Sequence, residues 1–442
     1  MKSVIMVVGT LAALGCGQGE RPRSGSDSAP ADSASRPAAA KGDVQLKLPS
    51  GFSATVFAES LGSTRHIVAA PSGTIYANTW HSPYDTTRRV PPGGLLIALR
   101  DTNGDGRADA VQRFGSTSEQ GSKGGTGIAL KGSELYAEVD STIVRYRFSG
   151  DEPVPSGKPE IIVTGLPTEG GHPMHPIAVD ARNLFVNLGS ATNACQIKDR
   201  EAASKGRDPC RELEQRAGIW RFSHQPGQRY SPRQRYATGI RNAVGLAFSS
   251  DGQLYSTQHG RDQLAENWPK LFNWKQGANL PAEELLRIQE GGDYGWPYCY
   301  YDPELKRLVL APEYGGDGKE IKRCAQKLGP VAAFPAHWAP NALAFYNGGM
   351  FPPEYRGGAF IAFHGSWNRA PEPQEGYNVV FQPLAEGRAS GEYRVFADGF
   401  AGARKDPGMA AHRPAGLTVG PDGALYISDD QRGTIWRVIY KP

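Results

Sequence analysis

A short strand motif recurs six times in this sequence of 442 residues and constrains how the chain can fold. Each copy has a turn containing Gly, Asn or Ser, followed by an apolar strand centred on tyrosine or phenylalanine. The central aromatic residues are Tyr76, Tyr136, Phe185, Tyr255, Phe360 and Tyr426. A repeat of roughly 60 residues suits a four-stranded sheet with generous loops, and six such sheets can close into a ring. The recurrence therefore predicts an all-β fold, a six-bladed β-propeller with four-stranded antiparallel blades.

Composition and spacing agree with this fold. The 55 glycines and 34 prolines, with few stretches of helical periodicity, are typical of many short strands joined by turns. The longest interval between motif copies, from Tyr255 to Phe360, indicates one blade with a long insertion at about residues 261–335. The net charge of only +4 gives no argument for a nucleic-acid partner.

The motif strands end in polar residues. Five of the six copies run from the apolar strand into histidine, serine, glycine or aspartate. These residues are His81, Ser190, His259, Gly260, His364, Gly365, Ser366, Asp429 and Asp430. Because equivalent strands of a propeller surround one axis, equivalent strand ends converge on one mouth, which predicts a binding site there. Ordinary turn residues are the alternative for any single copy.

The N-terminus is typical of an exported protein. A lysine precedes an apolar run that is too short to span a bilayer, and residues 13–16 resemble a bacterial lipobox. We predict a lipoprotein-type signal peptide at residues 1–16 with a lipid on Cys16; cleavage nearby by an ordinary signal peptidase is the alternative. Residues 17–43 are expected to be a disordered tether, and residues 44–442 the propeller. The predicted location is the periplasm or cell envelope, with membrane contact only through the lipid.

The cysteine count fits export. If Cys16 carries lipid, four cysteines remain, an even number in a chain sent to an oxidising compartment. Proximity along the sequence favours pairing Cys195 with Cys210 and Cys299 with Cys324. A metal site built from these cysteines is less favoured, because none has a CxxC spacing or a histidine at ligand spacing.

The segment "DTNGDGRAD" carries oxygen ligands at the spacing of a calcium loop. Asp101, Asn103 and Asp105 alternate along it, Gly106 permits a sharp turn and Asp109 follows. The sequence predicts a structural Ca²⁺ site here. A solvated hairpin turn is the alternative.

Histidines and arginines near the predicted mouth suggest chemistry on an anionic ligand. His172 and His175 lie in a proline- and glycine-rich loop, where a neutral imidazole can act as a general base. They could instead be structural or bind a metal together. Arg241, Arg369 and Arg413 could offer forked donors to a small polyanion. Salt bridges to loop acids are the alternative for each arginine.

Seven motifs together resemble those of a known family, the PQQ-dependent soluble glucose and sorbosone dehydrogenases. They are "GTGIAL", "GGHP", "TGIRNAVGLAF", "PAEELLRIQEGGDYGWP", "HWAPNALAFYNGG", "HGSWNR" and "HRPAGLTVGPDGALYISDD". The similarity covers about residues 46–438 and is strongest to the sorbosone dehydrogenase-like branch. It implies a six-bladed propeller that oxidises an aldose or related sugar with PQQ and Ca²⁺. The electron acceptor stays unknown.

The resemblance implies roles for individual residues. His172 corresponds to the general base, Arg241 and Asn242 to the pair that contacts the quinone, and Arg413 to an arginine that binds a cofactor carboxylate. The family has a lysine after the equivalent of Trp367, where this chain has Asn368 and then Arg369. We therefore expect Trp367, Asn368 and Arg369 all to bind the cofactor, with Trp367 as a flat wall and Arg369 in the cationic role.

Metal ligands follow from the same resemblance. The backbone carbonyls of Gly260 and Arg261 correspond to ligands of the active-site Ca²⁺, and Glu284 and Tyr294 to a second, structural Ca²⁺ site. Two other functions remain open on this fold, a Ca²⁺-dependent lactone hydrolase and a cofactor-free binding module at the cell surface.

Overall fold

A computed structural model describes residues 45–81 and 91–442 and confirms the six-bladed β-propeller. Six antiparallel four-stranded sheets surround one axis, and each motif aromatic residue lies on the second strand of its sheet. The predictions for Cys16, the signal peptide and the tether lie outside the described residues.

The blades are numbered along the chain, with strands given from the axis outward. Blade 1 comprises Thr64–Ala69, Ile75–Thr79, Leu96–Arg100 and Ala110–Phe114, and blade 2 comprises Ile128–Lys131, Glu134–Val139, Thr142–Arg147 and Glu160–Thr164. Blade 3 comprises Ile177–Val179, Asn183–Leu188, Gly218–Ser223 and Arg235–Thr238, and blade 4 comprises Leu246–Phe248, Leu254–Gln258, Glu283–Arg287 and Ala332–Phe334. Blade 5 comprises Pro340–Phe345, Ala359–Phe363, Asn378–Gln382 and Arg394–Ala397, and blade 6 comprises Pro414–Val419, Leu425–Asp429, Ile435–Tyr440 and Phe52–Ala58.

Blade 6 closes the ring with strands from both ends of the described chain. Phe52–Ala58 pairs antiparallel with Ile435–Tyr440. The ring of Phe52 packs edge-on against Phe351 at 4.8 Å and Phe396 at 5.0 Å, which ties the closing strand to blade 5. Closure therefore depends on backbone pairing and on aromatic packing.

The second strand of each blade explains why the motif is apolar at successive positions. All five side chains of Ala359–Phe363 are buried, because this strand has neighbours on both edges and blades packed on both faces. A strand covered on both faces reads as a continuous apolar run rather than an alternation. The inner strands of all six blades surround an axial cavity of about 370 Å³.

The predicted insertion is wrong in one respect. The third and fourth strands of blade 4, Glu283–Arg287 and Ala332–Phe334, both lie within residues 261–335, so two separate loops carry the extra residues. The first holds two short α-helices, Leu264–Asn267 and Trp274–Asn279. The second holds a hairpin and two 3₁₀ turns. These are Cys299–Asp302 with Arg307–Leu310, Pro312–Tyr314 and Lys322–Gln326.

Shorter elements complete the fold. Four further 3₁₀ turns, one two-residue strand beside blade 2 and one small hairpin lie between the blade strands. They are Ser118–Gln120, Arg211–Glu214, Pro232–Gln234, Pro353–Tyr355, Gln228–Arg229 and Leu384–Ala385 with Arg388–Ala389. None of the helices in residues 45–81 and 91–442 has the length and apolar character needed to cross a bilayer.

Both predicted disulfides are confirmed. Cys195 bonds to Cys210 and Cys299 to Cys324. Each disulfide is buried in a small hydrophobic cluster, Cys195–Cys210 beside Trp296 and Cys299–Cys324 beside Leu308 and Leu310. Disulfides are typical of proteins exported to an oxidising compartment.

Candidate active site

Loops at one end of the propeller form a continuous polar mouth. They follow the second or the fourth strand of each blade, and contacts between blades connect them. Arg65 of blade 1 pairs with Asp430 of blade 6 at 2.5 Å, and Asp430 lies 2.8 Å from His364 of blade 5. Asn368 of blade 5 donates to Asp262 of blade 4 at 2.8 Å.

His172 enters this mouth from the loop between blades 2 and 3. Its Nδ1–H donates to the carbonyl of Ser190 at 2.8 Å, so Nε2 carries the free lone pair. Nε2 has no hydrogen-bond partner among the described residues. Gly189 permits the close packing, because a Cβ there would lie 2.6 Å from the Cβ of His172. Burial, reinforced by the positive charge of Arg241, holds the pKa of His172 well below its usual value, so the ring is a neutral base.

Arg241 is buried, with 2 % of its surface exposed, and its guanidinium donates four hydrogen bonds, which leaves one N–H without a partner among the described residues. It donates to the carbonyl of Gly260 at 2.8 Å, to the carbonyl of Asn193 at 3.2 Å and to the carboxylate of Asp262 at 2.7 Å. Burial lowers the pKa of Arg241 and Asp262 raises it. A cation fixed in this way can present its remaining N–H edge without reorganising.

Asp262 is a central residue that the sequence analysis missed. Its carboxylate accepts from Arg241, from Arg200 at 3.0 Å and from Asn368. The two arginines hold its pKa well below the usual range even though burial opposes ionisation. An acid two residues after the His-Gly strand end in "HGRDQL" was the available signal.

Asn242 lies beside Arg241 in the loop that enters blade 4. It is buried, and its side-chain oxygen accepts weakly from Asn187 at 3.4 Å. A Cβ on Gly189 would lie 3.0 Å from that oxygen, so Asn242 and His172 pack on either side of the same glycine. The structure therefore brings together His172, Arg241 and Asn242.

The loop after blade 5's second strand carries three predicted cofactor residues, which have different surroundings. Trp367 is 67 % exposed. Asn368 faces Asp262, as described above. Arg369 is buried and donates to the carbonyls of Ala278 at 2.7 Å and Pro373 at 3.0 Å. Its guanidinium thus fastens the loop to the helix Trp274–Asn279, whereas Asn368 joins the cluster around Arg241.

Arg413 and His364 form the opposite side of the mouth. Arg413 donates to the carbonyls of His364 at 3.1 Å and Gly365 at 2.6 Å, and its guanidinium lies 5.9 Å from the ring of Tyr377. Burial, with the charge of Arg413, lowers the pKa of His364 to about 4 against the opposing effect of Asp430. This side therefore keeps positive charge on the arginine, with a neutral histidine beside it.

The predicted calcium carbonyls lie next to a small cavity. Gly260 accepts from Arg241 and donates its N–H to Glu283 at 2.8 Å; the side chain of Arg261 is buried against Glu313 at 2.5 Å. Gly260, Arg261 and Glu284 all line the cavity.

Glu284 and Tyr294 differ in the hydrogen bonds that their side-chain oxygens make. One oxygen of Glu284 accepts from Gln258 at 2.9 Å, and the other is buried without a hydrogen-bond partner among the described residues. Burial raises the pKa of Glu284 to about 8. Tyr294 donates to the carbonyl of Arg287 at 2.6 Å, and no described contact joins it to Glu284. The unpaired oxygen of Glu284 is the feature that fits a cation.

The predicted calcium loop in blade 1 is a hairpin whose acids accept from its own backbone. Asp101 accepts from the N–H groups of Gly104 and Gly106, both at 2.7 Å, and Asp109 accepts from Thr102 at 3.0 Å. Among the described residues no group of three or more His, Cys, Asp or Glu side chains is arranged to hold a metal. Asn103 and Asp105 make similar local bonds.

Fold and site together define a six-bladed propeller whose mouth holds a neutral histidine beside a buried arginine. The chain belongs to the TrAA12-like family, whose model matches residues 46–441. This confirms the family relationship to PQQ-dependent sugar dehydrogenases that the motifs predicted; the sorbosone branch stays a prediction.

The two relatives that were found by sequence each match less than half of this chain. An uncharacterized protein of Borreliella burgdorferi is 30% identical over 208 residues, 46% of this chain and 48% of that protein. A pyrroloquinoline quinone-dependent pyranose dehydrogenase of Coprinopsis cinerea is 26% identical over 237 residues, 45% of this chain and 30% of that protein. The chain thus spans less than half the length of these relatives. The holo form of the Coprinopsis cinerea pyranose dehydrogenase PQQ domain has the same fold, with a TM-score of 0.68 at 18% identity, covering 91% of this chain and 99% of that domain.

Proposed function

We propose that the protein is a PQQ-dependent sugar dehydrogenase that oxidises an aldose or a related, sorbosone-like sugar. The observation that carries the proposal is the state of His172, a neutral ring with Nδ1–H bonded to Ser190 and with Nε2 unpaired. A base of this kind, held in a polar mouth beside a buried arginine, suits the removal of a hydroxyl proton.

The residues of the mouth fit the chemistry of PQQ, which has three carboxylates and an ortho-quinone. Arg241 and Arg413 supply cations on two sides, and Asn368 supplies an amide between them. Trp367 offers a flat apolar surface because its ring is exposed at the rim. When bound in this mouth, PQQ would supply the two-electron acceptor for oxidation of the sugar.

The chain itself orients the substrate and moves the proton. Nε2 of His172 accepts the proton of the sugar hydroxyl, and the Ser190 carbonyl keeps the reactive nitrogen pointed outward by holding Nδ1–H. Arg241 stabilises negative charge that develops near it, and Asp262 prevents it from turning away. The proton then leaves from His172 to solvent at the open mouth.

Calcium is part of the proposal. We assign the active-site Ca²⁺ to the carbonyls of Gly260 and Arg261, and a structural Ca²⁺ to Glu284, with Tyr294 as the weaker member of that pair. The blade 1 hairpin around Asp101 is proposed as a further Ca²⁺ loop. Carbonyl and carboxylate oxygens are the ligands Ca²⁺ prefers.

Location is proposed from the N-terminus. Export by the signal peptide, with lipid on Cys16 and a tether at residues 17–43, would place the mouth in the periplasm or at the cell envelope. The identity of the electron acceptor in that compartment is left open.

Reconstitution tests the function directly. Purified apoprotein is incubated with PQQ and CaCl₂, and its oxidation of a panel of aldoses and ketoaldoses is followed with an artificial electron acceptor. The expected result is sugar oxidation that requires PQQ and is abolished by EDTA treatment before PQQ is added. Absence of tight PQQ binding by calorimetry would refute the assignment.

A further inference from the structure

Two glycine-rich motifs beside the mouth, "GGTG" in blade 2 and "GGHPMHP" before blade 3, meet around one buried carboxylate. This carboxylate belongs to Glu138, which is 2 % exposed. One of its oxygens accepts from the backbone N–H groups of Thr126 at 2.7 Å and Gly127 at 2.8 Å. The other accepts from the backbone N–H of His175 at 2.8 Å and lies 2.9 Å from Nδ1 of the same residue.

The imidazole of His175 has a hydrogen-bond partner at each nitrogen. Nδ1 faces the Glu138 carboxylate, and Nε2 lies 3.0 Å from the carbonyl of Pro167. A carbonyl cannot donate, so Nε2 carries hydrogen and donates to Pro167, and Nδ1 shares a hydrogen bond with an oxygen of Glu138. Both side chains are buried, with 3 % of Glu138 and 1 % of His175 exposed. Every hydrogen-bonding atom of the two side chains therefore has a partner inside the protein.

The motif glycines make room for this buried pair of side chains. A Cβ on Gly125 would lie 2.4 Å from Cγ of Glu138, and one on Gly127 would lie 2.2 Å from the carbonyl oxygen of His175. Distances this short leave no room for a side chain at either position. The glycine spacing is thus explained by packing around Glu138 and His175, and it needs no ligand.

The Glu138–His175 pair holds one end of the segment that carries His172, and Arg216 holds the other. The guanidinium of Arg216 donates to the carbonyls of Gly189 at 2.9 Å and His172 at 3.3 Å, and also to the carbonyl of Glu169. Both ends of this short loop are therefore attached to neighbouring blades through buried polar side chains.

We propose that the hydrogen-bonded pair Glu138–His175 is a positioning device that fixes the backbone of His172, so that its Nδ1–H stays on Ser190 and its Nε2 faces the mouth. The catalytic consequence rests on the proposed function, whereas the positioning itself does not. A residue that acts in this way changes the rate through geometry, because reacting groups misplaced by about 1 Å lose on the order of 10²-fold in rate.

The first test uses the wild-type apoprotein. Histidine labelled with ¹⁵N reports the protonation of each ring nitrogen by NMR, and the nine histidines are assigned with single variants. At pH 7 we expect His172 to be a single Nδ1–H tautomer. An Nε2–H tautomer or a mixture of tautomers at His172 would overturn the proposal, and this result requires no variant to fold.

The second test compares H175Q with a matched control, H224Q. His224 also has partners at both nitrogens, the hydroxyl of Tyr136 at 2.9 Å and the carbonyl of Asp180 at 3.1 Å, but it lies away from His172. In apo-H175Q we expect the His172 spectrum to become a mixture of tautomers, and in apo-H224Q to stay as in the wild type. An unchanged His172 spectrum in folded H175Q would refute positioning.

Kinetics separate positioning from the function itself. With PQQ and sugar, H175Q should lose on the order of 10²-fold in kcat with KM nearly unchanged, and H224Q should keep both values. Inactive wild type with the expected NMR results would refute the proposed function and leave the positioning intact. Full kcat in H175Q, with active wild type, would overturn the catalytic consequence.

Discussion

The protonation of Glu284, which lines the small cavity beside Gly260 and Arg261, can be tested quantitatively. The carboxyl is 3 % exposed, one oxygen is bonded to Gln258, and the other has no partner among the described residues. Burial raises its pKa from the ordinary 4.5 to about 8. The folded protein therefore keeps a proton on Glu284 at neutral pH that the unfolded chain has released.

This difference in proton binding makes Glu284 cost stability as the pH rises. Between the unfolded pKa near 4.5 and the folded pKa near 8, the folded state holds about one more proton, and each pH unit is worth about 1.4 kcal/mol. Raising the pH from 5.5 to 7.5 should thus lower the free energy of unfolding by about 2 to 3 kcal/mol through this group. In E284Q that loss is absent, because the amide does not titrate.

The assay is urea unfolding of wild type and E284Q in EDTA at pH 5.5 and 7.5, followed by fluorescence. Other buried groups titrate equally in both proteins, so the difference between the two pH dependences isolates Glu284. E304Q, a change at an exposed glutamate, is the control and should behave as wild type. Parallel pH dependences in wild type and E284Q would refute the reasoning. If Glu284 binds Ca²⁺, added CaCl₂ should flatten the wild-type dependence and leave E284Q unaffected.

Three further perturbations test the mouth and its rim. H172Q should bind PQQ as wild type does but lose about 10² to 10⁴-fold in kcat, since it lacks the general base; normal turnover would contradict this. R413Q should weaken PQQ binding about 10 to 150-fold, because a charged hydrogen bond worth about 1.5 to 3 kcal/mol is lost. Calorimetry measures the affinity, and the control R404Q, a change at an exposed position, should bind PQQ as wild type does. The double change C299A/C324A removes a disulfide with a sequence separation of 25 and should lower the free energy of unfolding by about 3 kcal/mol. An unchanged urea midpoint in this variant would show that the disulfide does not stabilise the fold.

The architecture was accessible from sequence because the second strand of each blade has one environment. Burial on both faces demands consecutive apolar residues around an aromatic centre, and this demand recurs in every blade. The strand Glu283–Arg287 was hidden because it starts with two glutamates, both buried here. The free-energy cost of burying Glu283 is offset by hydrogen bonds from the backbone N–H groups of Gly260 and Ala339. No local sequence pattern reveals these partners.

The candidate site was accessible only in part. His172, Arg241 and Asn242 lie in motifs with a fixed spacing, and the structure brings them together. Asp262 was missed because its partners, Arg200 and Asn368, are far away in the sequence. The surroundings of the Trp367 loop likewise depend on a helix from another blade, so charge alone could not decide which of its residues faces the mouth.

Ring closure has a consequence for the order in which the chain can fold. Phe52–Ala58 is synthesised first among the blade strands, and its partner Ile435–Tyr440 is synthesised last. At about 5 to 20 residues per second, the early strand waits on the order of 20 to 80 s for its partner. During that interval the outer strand of blade 6 has no sheet to join, and an unpaired edge can pair with a neighbouring chain. Ring closure is therefore the last step in the folding of blade 6, because it must wait for Ile435–Tyr440.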